Sequence, residues 1–117
     1  MKQIAAKLFA RIIFRRNQKW IKSPIESQKK TFQKLIATAR DTTFGKDHNF
    51  RSIKTLADFS QFVPVRDYEE LSPYIDRMVA GEEDILWPGK PIYFSKTSGT
   101  TSGAKHIPIT KESMPTH

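Results

Sequence analysis

Nine consecutive residues near the end of the chain, Thr97-Ser98-Gly99-Thr100-Thr101-Ser102-Gly103-Ala104-Lys105, have the composition of a phosphate grip. Glycine lets a backbone bend sharply and come close to a ligand. Successive amides and short hydroxyl side chains can then surround phosphate oxygens, while Lys105 supplies a point charge. The run is not a Walker A loop, which places four residues between its glycines and a lysine directly after the second. Here Thr100, Thr101 and Ser102 separate Gly99 from Gly103, Ala104 precedes Lys105, and Pro108 stands where a helix would have to grow. That spacing argues against a P-loop NTPase. A surface hairpin without a ligand has the same composition, because Ser, Thr and Gly clusters mark loops of every kind.

Other candidate chemistry is sparse. His48, His106 and His117 have no metal-ligand spacing among themselves or with carboxylates, so no metal ligand is assigned in this chain. Glu82-Glu83-Asp84 could attract a cation, but three adjacent acids read first as a solvated loop. No serine stands in a nucleophile elbow. Trp87-Pro88-Gly89 reads as a turn carrying an anchored aromatic, and Arg66 and Arg77 as structural partners of Asp67 or Asp76. Without cysteine there are no disulfides and no thiolate metal sites.

The elements that must position the loop are helical at first. An opening helix is predicted over residues 3–21. Ser23-Pro24-Ile25-Glu26 then combines an N-cap, a proline at the first helical position and a glutamate three residues on. Ile25, Phe32, Leu35, Ile36 and Ala39 line an apolar face that runs to about Arg40, with Gly45 beyond the end. Thr55-Leu56-Ala57-Asp58 reads as a capping box for a short helix burying Leu56, Phe59 and Phe62, and Pro64 stops it. Asp67 caps a further helix with Leu71, Ile75 and Met78 inward and Gly81 as terminator. Pro91–Lys96 and His106–Ile109 are strand candidates on either side of the loop. Thr110 is placed to cap another helix.

Charge is uneven. The net charge is +8, but residues 1–54 hold 14 Lys and Arg against three acids, whereas residues 55–117 hold six against nine. Lys7, Arg11, Arg15, Lys19 and Lys22 share one helical face, with Ala5, Phe9, Ile13 and Trp20 gathered roughly opposite. Such a basic amphipathic helix over residues 1–22 could lie on an anionic membrane, act as a transit peptide or approach a nucleic acid. Packing of its apolar face on the rest of the domain is the favoured reading, because Ile4 and Leu8 interrupt the basic face. Membrane-surface contact is thus not favoured and no nucleic-acid partner is expected. Arg11 and Arg15 break the best apolar stretch, so no membrane span is predicted. There is no secretory signal pattern, and a cytoplasmic location is expected.

The loop resembles the phosphate-binding signature of adenylate-forming enzymes, in which Thr-Ser-Gly-Thr-Thr-Gly leads to a lysine. Ser102 stands where a glycine is usual and Ala104 where a proline is usual, while Lys105 keeps its distance from Thr97. The run into Lys105-His106-Ile107-Pro108 is similar to one branch, the auxin-responsive Gretchen Hagen family of acyl-acid amido synthetases, which has bacterial as well as plant members. The bacterial type is expected here. Lys34 through Lys46 resembles that family's early helix and the turn closing it. Phe62-Val63-Pro64-Val65-Arg66-Asp67-Tyr68-Glu69-Glu70-Leu71, with Pro73-Tyr74-Ile75-Asp76-Arg77-Met78 and Gly81-Glu82, resembles the stretch before the loop. The resemblance covers the chain from about Lys29 onward.

The resemblance implies an α/β fold: the N-terminal part of the large domain of an adenylate-forming enzyme, helices first and then a strand-loop-strand phosphate-binding turn. Residues 1–117 would form a single partial domain. Family members are several times longer, so the chain is expected to be an N-terminal piece without turnover of its own. The implied reaction uses ATP and Mg²⁺ to convert a carboxylic acid into an acyl-adenylate, which an amine such as an amino acid then attacks. Ser98, Gly99, Thr100, Thr101, Ser102 and Gly103 would bind the ATP phosphates, and Lys105 would offset charge developing on pyrophosphate. Two alternatives stand beside this: an acyl ligase with a thiol acceptor, and a non-enzymatic basic module acting through residues 1–22.

Overall fold

The computed structural model of the protein describes residues 2–99 and 103–114. The chain divides into two compact units, Met1–Lys34 and Leu35–His117. The first consists of α1 (Lys2–Lys22) and the opening turns of α2 (Pro24–Ala39). None of the described side chains of α1 is buried, and Ile4, Leu8, Phe9, Ile12 and Phe14 are all exposed. At the start of α2 the Ser23 carbonyl accepts the Ser27 N–H at 3.0 Å. Glu26, expected to reach back toward Ser23, lies 2.7 Å from Lys30 one turn on. The Lys30 ammonium holds the Glu26 carboxyl below the usual glutamate range.

The second unit carries the core, built from Ile36, Ala39, Phe50, Ile53, Ile75, Met78, Ile85 and Ile109. Of the predicted apolar face of α2, Ile36 and Ala39 are buried, while Ile25 and Leu35 are exposed. Gly45 does not follow a helix end in open loop. It lies within a separate helix, α3 (Thr43–Asp47), and is buried. A β-carbon there would collide with the Ala39 carbonyl, so only glycine lets α3 come this close to the end of α2. Thr42 makes the corner: its hydroxyl donates to the Ala39 carbonyl at 2.7 Å and accepts the Gly45 N–H at 3.0 Å. The first amides of α3, at Thr43 and Phe44, donate to the carbonyls of Asp84 and Ile85 at 2.8 and 3.0 Å. The orphan donors of a helix start are thereby paired with a loop far along the chain.

After a 3₁₀ turn at Phe50–Ser52 comes α4 (Leu56–Phe62), opened by the expected capping box. Thr55 Oγ1 accepts the Asp58 N–H at 3.2 Å, and Asp58 Oδ2 accepts the Thr55 N–H at 2.8 Å. Leu56, expected inside, is exposed; Phe59 and Phe62 are half-buried, with Phe59 tilted against Phe50 at 6.2 Å. The first helical turn of α4 therefore points Leu56 outward, and its two phenylalanines make the inner side.

α5 (Tyr68–Val79) is capped at both ends as its sequence predicts. Asp67 Oδ1 accepts the Glu70 N–H at 2.9 Å and Glu70 returns the bond to the Asp67 amide. At the far end the Gly81 N–H reaches the Met78 carbonyl and the Glu82 N–H the Arg77 carbonyl, both at 3.0 Å, a Schellman close with Gly81 at φ 96°. Pro73 sits inside α5 and has no N–H for the Glu69 carbonyl. The Ser72 hydroxyl donates to that carbonyl instead, at 2.8 Å.

The acidic stretch after α5 is held by its neighbours. Arg77 pairs with Glu82 at 2.7 Å rather than with Asp67 or Asp76, and Glu83 lies 3.4 Å from Lys90. Asp84 Oδ1 accepts the Gly89 N–H at 2.7 Å, closing the turn that contains Trp87. The Trp87 indole donates to Glu112 at 3.3 Å. Two short strands follow, β1 (Tyr93–Lys96) and β2 (His106–Ile109), paired antiparallel with Tyr93 opposite Ile109 and Lys96 opposite His106. The described chain is thus mostly helical with a small two-stranded sheet, helices first and strands last. Thr110 and Ser113 exchange hydrogen bonds as a cap would, and a turn follows over Lys111–Ser113.

Candidate functional site

The loop joining β1 to β2 is closed at its base by its own residues. Beyond the last strand pair, the Thr97 N–H donates to the Lys105 carbonyl at 3.0 Å and the Lys105 N–H to Thr97 Oγ1 at 3.2 Å. Thr97, the first hydroxyl of the run, therefore serves the neck of the loop. Above it Gly99 and Gly103 press backbone against backbone: a β-carbon on Gly99 would overlap the Gly103 carbonyl. Gly103 itself has φ 80°, in the left-handed region that favours glycine. Gly99 thus lets the sides of the loop meet where a side chain would hold them apart, while Gly103 answers to its backbone conformation alone.

Of the residues expected to bind phosphate, Ser98 and Gly99 lie on the first side of this neck and Gly103 on the second, all exposed. Thr100, Thr101 and Ser102 lie outside the described residues. The Gly99 amide donates to the Thr97 carbonyl at 3.0 Å, so an anion at this amide would have to replace that bond.

Lys105 is half-buried at the foot of the loop. Its ammonium stands over the ring of Tyr68, 5.0 Å from the centroid, within the range of a cation–π contact. Among the described residues Lys105 makes no ion pair. Among the described residues, then, the charge has an aromatic partner and no neutralising one. Sequence reasoning assigned Tyr68 no part in the site; it stands one residue after the Asp67 cap, 38 positions before His106, and no spacing links it to the loop. Its only sequence signal was its place in the block Asp67-Tyr68-Glu69-Glu70.

The remaining candidates lie elsewhere. His48 is buried, with Nδ1 2.8 Å from the Phe44 carbonyl and its ring stacked on Phe44 at 4.0 Å, so it belongs to the core. Tyr74 donates to Asp47 at 2.8 Å; partial burial and that carboxylate push its phenol above the usual tyrosine range. Among the described residues no group of three or more His, Asp or Glu is placed to hold a metal ion. No helix among them is long and apolar enough to cross a membrane.

Comparison with known proteins places these features in a family. The family model described as the GH3 family N-terminal domain matches residues 14–117. Jasmonoyl--L-amino acid synthetase JAR4 of Nicotiana attenuata is 30% identical over 89 residues, 74% of this chain and 15% of that protein. Probable indole-3-acetic acid-amido synthetase GH3.13 of Oryza sativa subsp. japonica is 42% identical over 60 residues, 50% of this chain and 13% of its own length. Indole-3-acetic acid-amido synthetase GH3.3 of Arabidopsis thaliana is 29% identical over 89 residues, again 74% of this chain and 15% of the relative. The chain thus spans between 13% and 15% of the length of these three relatives.

Proposed function

Because the chain belongs to the GH3 family, we propose that it is the ATP-phosphate-binding portion of an ATP-dependent acyl-acid amido synthetase. The observation that carries this reading is the loop between β1 and β2, with its glycine-pinched neck and, at its foot, a lysine that has no ion-pair partner among the described residues. In the first half-reaction a carboxylate oxygen of the acid attacks the α-phosphorus of ATP. The bond to the bridging oxygen breaks, and pyrophosphate leaves with the electron pair. In the second, an amine attacks the acyl carbon of the adenylate, loses a proton and expels AMP. The relatives' names point to acids such as indole-3-acetic acid and jasmonic acid, and to amino acids as acceptors.

This chain's share of that chemistry is electrostatic. Ser98, Thr100, Thr101 and Ser102 would offer hydroxyl donors to the β- and γ-phosphates, and the amides of Thr100, Thr101 and Gly103 N–H groups, joined by Gly99 once it releases the Thr97 carbonyl. Donors fixed in advance where charge develops lower a barrier without reorganisation at the moment of reaction. Lys105 would bring a full positive charge to the leaving pyrophosphate. Mg²⁺ would arrive with ATP, held by its phosphate oxygens, and would neutralise part of their charge.

The test is ATP–pyrophosphate exchange in the complete protein, with indole-3-acetic or jasmonic acid as the probe. Lys105→Met is expected to slow exchange about a hundredfold, the usual scale for losing one fixed donor to a developing anion. Its thermal midpoint should stay near that of the parent, because Lys105 makes no ion pair among the described residues. Exchange at the parental rate in that variant would remove Lys105 from the reaction.

A further inference from the structure

Tyr68 touches the loop's foot in two chemically different ways. Its ring lies under the Lys105 ammonium, 5.0 Å from centroid to Nζ. Its hydroxyl accepts the His106 N–H at 2.8 Å and faces the His106 carbonyl at 3.4 Å. His106 is the first residue of β2 and pairs with Lys96 across the sheet. Its amide and carbonyl are thus occupied by one tyrosine of α5, which stands where a third strand would otherwise pair. One side chain fixes both the backbone that carries Lys105 and the end of the Lys105 side chain.

We propose that Tyr68 is a positioning residue that presents Lys105 to the nucleotide's phosphates. The inference rests on the phosphate reading of the loop. A lysine has a flexible four-carbon stem and a strongly hydrated head, so left alone its charge is spread over many rotamers. A carboxylate partner would localise that charge but cancel it. An aromatic face localises it through the ring quadrupole and leaves its full charge for an incoming anion. The attraction is weak beside that of a multiply charged phosphate, so the lysine can turn to the ligand without a large penalty. The hydroxyl does a separate task, tying β2 to α5 so that the lysine's backbone origin does not shift.

The two tasks can be separated in the complete protein. Tyr68→Leu removes ring and hydroxyl, whereas Tyr68→Phe keeps the ring. The expected result is that Tyr68→Leu lowers kcat/KM for ATP in pyrophosphate exchange about two- to fivefold, the scale of one cation–π contact. Tyr68→Phe should recover most of that loss. In a Lys105→Met background, Tyr68→Leu should cost nothing further, because neighbouring residues acting through one interaction are not additive. A readout independent of activity is the proton shift of the Lys105 ε-methylene group. It should lie upfield of other lysines in the parent and in Tyr68→Phe, and move to the ordinary lysine position in Tyr68→Leu. The same fractional loss from Tyr68→Leu with and without Lys105, or a Lys105 signal without ring shielding, would overturn the proposal while leaving the phosphate site standing. A Lys105→Met variant that exchanges at the parental rate would instead remove Lys105 from the reaction, and the proposal with it, even where the ring shift is present.

Discussion

At Gly45 one hydrogen atom in place of a methyl group decides whether α3 can reach the end of α2. The added β-carbon of Gly45→Ala would enter the Ala39 carbonyl, a backbone atom that cannot step aside as a flexible side chain could. We expect this substitution to destabilise the second unit by about 3 kcal/mol, at the upper end of overpacking costs. A denaturant midpoint equal to the parent's would show that the close approach is not required. Gly99 poses the same constraint in the loop, against the Gly103 carbonyl, and there the effect should fall on exchange activity because little of the core is near. At this scale the run Thr97–Lys105 was legible from composition, since hydroxyls, glycines and a lysine in one stretch suit few tasks. Tyr68 was not, because a contact between residues so far apart in sequence leaves no periodic trace.

The helices owe much of their placement to their ends. Thr55 and Asp58 satisfy each other's amides at the start of α4, and the Lys54 N–H also donates to Asp58 at 2.9 Å. Losing such a cap costs about 1 kcal/mol, so Thr55→Ala should lower the unfolding midpoint measurably. The backbone donors of Lys54 and Thr55 hold the Asp58 carboxyl below the usual aspartate range. A carboxyl whose folded value is depressed adds stability above its unfolded value and loses it as pH falls toward the folded one. The gap in stability between the parent and Asp58→Asn should therefore be constant near neutrality and shrink below the ordinary aspartate range. A gap that widens in acid would contradict the assigned bonds. Both capping boxes, at Thr55 and at Asp67, were readable because a cap is a pattern of four adjacent residues. Burial within α4 was less so: Leu56 had an apolar residue's claim to the core, yet only the packing partners on each side decide which face turns inward, and Phe59 and Phe62 took it.

The first unit contains an exposed opening helix, and the second holds every buried apolar residue among those described. Backbone protection follows burial and hydrogen bonding of the amide, so amide exchange should be slowest at Ile75 and Met78 of α5 and much faster along α1. Equal protection in both would mean that α1 is held by more than its own turns. The family match begins at residue 14, inside α1, and the apolar and basic residues 2–13 lie outside the matched range. The sequence by itself determined the order of α1, α2, α4, α5 and the two strands, the caps at Thr55 and Asp67, the terminator Gly81 and the family, because each rests on local spacing or on ordered blocks of residues. Only the tertiary structure decided that Gly45 belongs to a helix of its own, that Arg77 turns to Glu82, and that the Tyr68 ring lies under the Lys105 ammonium. Those outcomes depend on which surfaces meet once the chain has turned back on itself, through pairings such as Thr43 with Asp84. Local pattern has no access to such distances, whereas close packing settles them to within a single methyl group.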